Sequence, residues 1–145
     1  MIALIQRVTH ADVQVKNKTI GSIQSGILLL LGVEKNDTEK NAIDLLNKVV
    51  NYRIFADSDD KMNLSILDVE GELLIVPQFT LPANTQKGTR PSFASAASPK
   101  EGHFYYDLFV SLAREKLNKV ETGEFGANMQ VSLINNGPVT FWLQK

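Results

Sequence analysis

The sequence predicts an α+β fold in a single domain covering residues 1–145, with mostly antiparallel sheets forming a barrel-like core and two main helices packed on it. Three observations carry that expectation. Short apolar, strand-like segments recur along the chain. Two stretches place apolar residues at helical spacing behind recognisable start signals. No repeat, low-complexity segment or linker separates them.

Taken in order, residues 2–8 read as a first strand. Asp12 to Lys16 and Thr19 to Ile23 read as a hairpin around Asn17-Lys18. Gly26 leads into ILLLLGV, residues 27–33, apolar on both faces and therefore expected at the centre of a sheet. Asp37 or Thr38 can cap a helix over 38–51, in which Ala42, Leu45, Leu46, Val49 and Val50 share one face. Tyr52 to Phe55 is expected as a short strand, 57–61 as a polar turn, and Met62 to Val69 as extended chain. Glu70-Gly71 then turns into Glu72 to Leu81, ELLIVPQFTL. Pro82 to Pro99 is a long loop containing KGTRPSF at 87–93, and loops of that length are usually functional or mobile. Ser98, Pro99 and Glu101 open a second helix reaching Leu117, expected to bury Tyr105, Leu108, Phe109 and Leu112. A short strand at Val120 to Thr122, turns at Gly123 and Gly126, and two last strands, Met129 to Ile134 and Val139 to Leu143 around NNGP, complete the chain.

Composition narrows the chemistry. The chain is 43% hydrophobic and 21% charged, ordinary for a soluble globular protein, and no apolar run nears the roughly 20 residues of a membrane helix. The start of the chain lacks a signal-peptide pattern, so a cytosolic protein is expected. Without cysteine there is no thiol nucleophile or thiolate metal site, and His10 and His103 alone cannot build a multi-histidine zinc site. No cofactor and no metal is expected, and both histidines read as bystanders. The formal net charge of −1 gives no general attraction to nucleic acid, so any RNA contact needs a local patch. Hydroxyls, carboxylates, backbone amides and groups on the substrate remain as tools.

Two stretches stand out. In ELLIVPQFTL a buried strand meets Pro77, which has no N–H for a sheet ladder, so pairing should stop or bulge there. Such a strand end can hold a reacting group on exposed amides and a hydroxyl, or it can simply be a strand end. In NNGPVT, residues 135–140, one reading is an ordinary hairpin loop. The other is a stiff turn presenting the carbonyls of Gly137 and Pro138 as acceptors.

Together these motifs resemble the D-aminoacyl-tRNA deacylases. The likeness spans the whole length and keeps the family's order: IQRVTHADV at 5–13, LLLLGVEKND at 28–37, RIFADSDDKMNLS at 53–65, GTRPSF at 88–93 and MQVSLINNGPVTF at 129–141. The resemblance implies a cytosolic homodimer that hydrolyses the ester between a D-amino acid and the 3′-terminal adenosine of tRNA, and that also removes glycine from mischarged tRNA. It implies that the Gly137-Pro138 peptide is cis and enters the partner subunit's pocket. Its carbonyls would accept hydrogen bonds from the substrate's α-amino group, and an L side chain would strike the motif. At Pro77 the family usually carries serine; a related animal group with looser chiral selection has proline there but lacks the phenylalanine at the position of Phe79.

Within that frame each residue keeps two readings. The amides of Phe79 and Thr80 are candidate oxyanion donors. Thr80 is a candidate nucleophile without a visible base, or a structural hydroxyl, and the substrate's own 2′-hydroxyl can assist attack by water instead. Gln78 orients substrate or stays on the surface. Phe79 supports the adenine or pocket wall, or joins the core. Met129 lines the pocket or packs in the core, and Arg7 holds the Gly-Pro turn, meets a phosphate or is solvated. Lys87 and Arg90 are weak candidates for phosphate contacts. A non-catalytic tRNA-binding dimer and a purely structural dimer are the rival readings.

Overall fold

The computed structural model describes residues 1–145, and a 14-residue strand, β1 (Ile2–Val15), organises it. One edge of β1 pairs antiparallel with β8 (Met129–Gln144) from Ile2↔Gln144 to Val15↔Met129. The other edge is shared. β3 (Gly26–Gly32) takes residues 2–8 and β2 (Lys18–Ile23) takes residues 11–15, both antiparallel. β6 (Glu72–Pro77) then pairs parallel with β3, and β7 (Val120–Thr122) parallel with β6. The sheet curls until its ends meet. A Cβ placed on Gly21 of β2 would lie 2.9 Å from the Thr122 carbonyl oxygen of β7, so the bare backbone of glycine lets the barrel nearly close. A separate two-stranded sheet joins β4 (Phe55–Ala56) and β5 (Met62–Leu64).

Alternation along the central strands feeds two cores. Ile27, Leu29 and Leu31 of β3 and Leu73 and Ile75 of β6 face the helices α1 (Glu39–Val50) and α2 (Pro99–Lys116). Leu28, Leu74 and Val76 point the other way, into a smaller cluster with Val8, Val13 and Ile23 inside the curl. Burial on both faces explains why β3 and β6 read as continuous apolar runs. α1 buries the five residues expected of it. α2 starts at a capping box in which the Ser98 hydroxyl donates to Glu101 at 2.7 Å and accepts the Glu101 amide at 3.3 Å. The Ser98 hydroxyl, then its amide, holds the Glu101 carboxyl below the usual carboxylate range.

Several expected boundaries move. Residues 2–8 and 12–16 are one strand, because β8 pairs across the gap and Thr9 and His10 face outward. The hairpin turn is Lys16-Asn17, both at positive φ (50° and 62°), one residue before the expected pair. Tyr52 to Ile54 is irregular, and the short strand starts at Phe55. Extended chain ends at Leu64, since the Asp68 carboxylate accepts the Ser65 amide and hydroxyl at 2.8 and 2.7 Å and closes a turn. On α2, Tyr106, Val110 and Ala113 join Phe109 in full burial, while Tyr105, Leu108 and Leu112 are half-buried at its margin. The helix is rotated by about one residue relative to the expected face.

The largest change is at NNGP. The two last strands are a single strand, β8, and no hairpin exists there. Between Gln6 and Val8 β1 advances two residues, while β8 runs from Thr140 to Asn135, so residues 136–139 loop out of a strand that resumes in the same direction.

Phe109 is wholly buried between α2 and the sheet. Phe109→Ala should therefore lower unfolding free energy by about 3–5 kcal/mol, read from urea denaturation. A loss below about 1 kcal/mol would contradict this packing.

Candidate functional site

β6 sets the geometry. Its amides alternate between neighbours: Leu73 donates to the Lys119 carbonyl beside β7 at 3.1 Å, and Gln78 donates to the Leu31 carbonyl of β3 at 2.8 Å. Residue 77 therefore faces the β7 side, where regular pairing has already ended at Ile75↔Thr122. Proline sits there without breaking the β3 ladder. The strand stops at Pro77 in a run of turns rather than a bulge: Leu81 donates to the Gln78 carbonyl at 3.3 Å and Ala83 to that of Thr80 at 3.1 Å. The amides of Phe79 and Thr80 lie between those bonds and donate to no acceptor within the chain.

An apolar cleft of about 650 Å³ opens beside this strand end. Pro77, Gln78 and Phe79 form one wall, with Phe93, Ala96 and Ala97 of the long loop beside them. Gly102 and Tyr106 of α2, Phe125 and Met129 complete it. The rings of Phe79 and Phe93 tilt together at 5.2 Å, and Phe79 is 63% exposed, so it belongs to the mouth of the cleft and not to the core. No carboxylate, histidine, lysine or arginine lines the cleft. Tyr106 is its one titratable group. The phenol places its single O–H between the carbonyls of Ile75 and Gly123, 3.0 and 3.2 Å away, and burial, with Asp107 adding, raises its pKa above the ordinary 10.0. A Cβ on Gly123 would stand 2.8 Å from the Met129 sulfur and 3.1 Å from the Pro77 ring, so glycine lets those two side chains close on each other. Met129 both lines the cleft and packs against the smaller core.

Thr80 is exposed, and its hydroxyl oxygen accepts from Gln78 Nε2 at 2.5 Å; no histidine or carboxylate contacts it. Lys87 and Arg90 lie at the exposed part of the loop, outside the cleft lining. That loop closes on itself where Asn84 donates to Ser92 at 2.8 Å, and its far end is tied to the chain after β3 by Lys35 donating to Ser95 at 2.8 Å and Ala97 to Val33 at 3.0 Å. His10 approaches Asp12 at 3.2 Å, away from the cleft. No three His, Asp or Glu residues gather as a metal site.

The excursion of β8 is a second, separate feature. Asn135 closes its base: Oδ1 accepts the Val139 amide at 2.6 Å, and Nδ2 donates to Thr140 Oγ1 at 2.9 Å. Arg7 Nε donates to the Asn136 carbonyl at 2.9 Å and Nη1 to that of Ile54 at 2.6 Å, bridging the excursion to the chain before β4. Gly137 has φ +140°, and a Cβ there would stand 2.6 Å from Val139 Cγ2 and 3.1 Å from Arg7 Nη2. The Gly137-Pro138 peptide is cis. Both residues are exposed, and neither lines the cleft of its own chain.

Phe93, Tyr106 and Phe125 are cleft residues that no individual sequence reading singled out. Phe93 lies inside the KGTRPSF stretch; the other two carry no local signal beyond that of ordinary core aromatics.

The fold and the cleft define a class: a barrel-like α+β protein with an uncharged cleft beside a strand end that leaves two amides unpaired. A family model described as D-Tyr-tRNA(Tyr) deacylase matches residues 4–144. A D-aminoacyl-tRNA deacylase of Pseudoalteromonas translucida is 59% identical over 141 residues, 97% of each chain. One of Haemophilus influenzae is 59% identical over 143 residues, 99% of each chain. A solved structure described as c-Myc DNA Unwinding Element Binding Protein has a TM-score of 0.96 at 37% identity, covering 100% of this chain and 99% of that one. Another, of a probable eukaryotic D-amino acid tRNA deacylase, has a TM-score of 0.86 over 99% and 98% of the two chains, and at 17% identity shows the shared fold. The chain belongs to the D-Tyr-tRNA(Tyr) deacylase family and is an enzyme, a hydrolase.

Tyr106 makes the cleft wall sensitive to alkali. Because its folded pKa is raised, its contribution is complete below about pH 10 and is lost as pH rises from there toward the folded value. Tyr106→Phe should cost about 1–3 kcal/mol at neutral pH by stranding the Gly123 carbonyl. It should also flatten the fall in stability between pH 9 and about 11 in urea titrations; an unchanged alkaline slope would place the phenol elsewhere.

Proposed function

We propose that this chain hydrolyses the ester between a D-amino acid and the 3′-terminal adenosine of tRNA, releasing free tRNA and the amino acid, and that it also clears mischarged glycyl-tRNA. It works as a cytoplasmic homodimer. The observation that carries the reading is the union of an uncharged cleft with free main-chain donors at Phe79 and Thr80. Water adds to the ester carbonyl carbon, and the developing oxyanion takes its hydrogen bonds from those two amides. The bond to ribose O3′ then breaks, and that oxygen leaves with a proton. With no basic or acidic side chain lining the cleft, the neighbouring 2′-hydroxyl of the substrate assists the water, and the protein positions and excludes.

Chirality is read by shape. Gly137 and Pro138 stand outside their own cleft, which supports their entering the cleft of a second copy. Their carbonyls receive the α-amino group, a D side chain points away, an L side chain collides, and glycine has nothing to collide. A second copy also suits β8 itself. It is a 16-residue strand with a single partner, and its outer face leaves Ile134 61% and Trp142 51% exposed. Gln78 holds the Thr80 hydroxyl, Met129 and Pro77 shape the floor, and Arg7 holds the base of the Gly-Pro excursion.

Deacylation of D-tyrosyl-tRNA and L-tyrosyl-tRNA under matched conditions should favour the D ester by roughly a hundredfold or more; comparable rates would sink the shape filter. Thr80→Ala should keep activity within about tenfold, because the amide remains. A drop of about ten-thousandfold would instead make the hydroxyl the nucleophile.

A further inference from the structure

A second, more polar groove of about 400 Å³ adjoins the apolar cleft at Phe125, between α2 and the end of β7. The two share Tyr106 and Phe125 as a common wall. One face of α2 supplies His103, Asp107, Ser111 and Arg114, and Thr122 faces them from β7. The His103 ring lies parallel to Phe125, 4.7 Å between centroids and 1° between planes, and its Nε2 approaches Asp107 at 3.5 Å. Arg114 makes no ion pair: beside it on α2 Asp107 pairs with His103, and before β7 Lys119 pairs with Glu72.

We propose that this groove is the subsite for the nucleotide that precedes the terminal adenosine, so that the substrate's single-stranded 3′ end runs from the groove past Phe125 into the cleft. This rests on the reading of the cleft given above. The chemistry matches a nucleotide part by part. The His103–Phe125 stack offers a flat platform for a base, and such stacking tolerates any base. The unpaired Arg114 guanidinium supplies the charge for a phosphate, with the Ser111 and Thr122 hydroxyls as neutral donors. The Asp107 carboxylate can accept from an exocyclic amine, the group a cytosine presents. A near-neutral protein acting on a polyanion needs such a local cation, and Arg114 is the one that lines a groove adjoining the cleft.

The test compares a long and a short substrate, D-tyrosyl-tRNA and 3′-O-D-tyrosyl-adenosine. Arg114→Gln and His103→Ala should each lower the ratio of kcat/KM on the long substrate to that on the short one by about tenfold. A ratio that stays at the wild-type value overturns the subsite, whether both activities fall together or neither falls. Binding of uncharged tRNA gives an independent measure. The slope of log Kd against log salt should shrink by about one for Arg114→Gln, and an unchanged slope overturns the phosphate contact. If the wild-type protein cleaves neither ester, the hydrolytic reading fails by itself, and the salt slope still decides the groove.

Discussion

The structure depends on β1 being held along both edges, by β8 on one and by β3 and then β2 on the other. β8 follows β1 from end to end, pairing residues 140–144 with 2–6 and residues 129–135 with the stretch from Val8 to Val15. That continuity forces residues 136–139 outward: the strand on either side is pinned to the same partner in the same direction, so extra residues cannot be absorbed in the plane of the sheet. Asn135 and Arg7 then fix the excursion from below, one through both its amide atoms and the other through two carbonyls. A hairpin tip would hinge about its two strands. A loop raised from a single strand has its two feet fixed by one ladder.

The cleft applies the same economy to electrostatics. Its lining carries no formal charge, so in the proposed reaction no ionised side chain of the cleft would compete with the substrate for the two free amides, and apolar walls would strengthen what those dipoles do. Main-chain donors also have no protonation state to lose near neutral pH. Precision must then come from backbone placement, and the buried contacts around Ile75, Gly123 and Met129 supply it.

The sequence disclosed the fold class, both helices and the two motifs, because each rests on local signals: helical spacing, caps, and apolar runs broken by proline. It concealed what depends on partners distant in sequence. NNGP carries the residues of a tight turn, and only pairing with β1 on both sides reveals a continuous strand. Tyr105 and Tyr106 are equivalent by composition, and the choice between them follows from the carbonyls that a buried phenol can reach. Phe79, an aromatic at a strand end, reads from sequence as pocket wall or core, and the turns after Pro77 put it at the cleft mouth beside Phe93. Phe125 joins the cleft through the fold alone.

Pro77 ends β6 without disturbing its pairing with β3. Along the parallel edge shared with β7, Leu73 donates to Lys119, and the Ile75 carbonyl accepts from Gly123 at 2.8 Å. Two residues further on, that ladder would send the amide of residue 77 toward the Gly123 carbonyl, and proline has no hydrogen to give. A carbonyl facing the buried wall of a cleft without a donor would be costly. Here the Tyr106 hydroxyl reaches it from α2 at 3.2 Å while also lying 3.0 Å from the Ile75 carbonyl. A side chain on the helix thus stands in for a missing main-chain donor on the strand. The strand end that carries Phe79 and Thr80 is thereby tied to α2, the helix whose outer face lines the neighbouring groove, and displacement of one must be felt by the other.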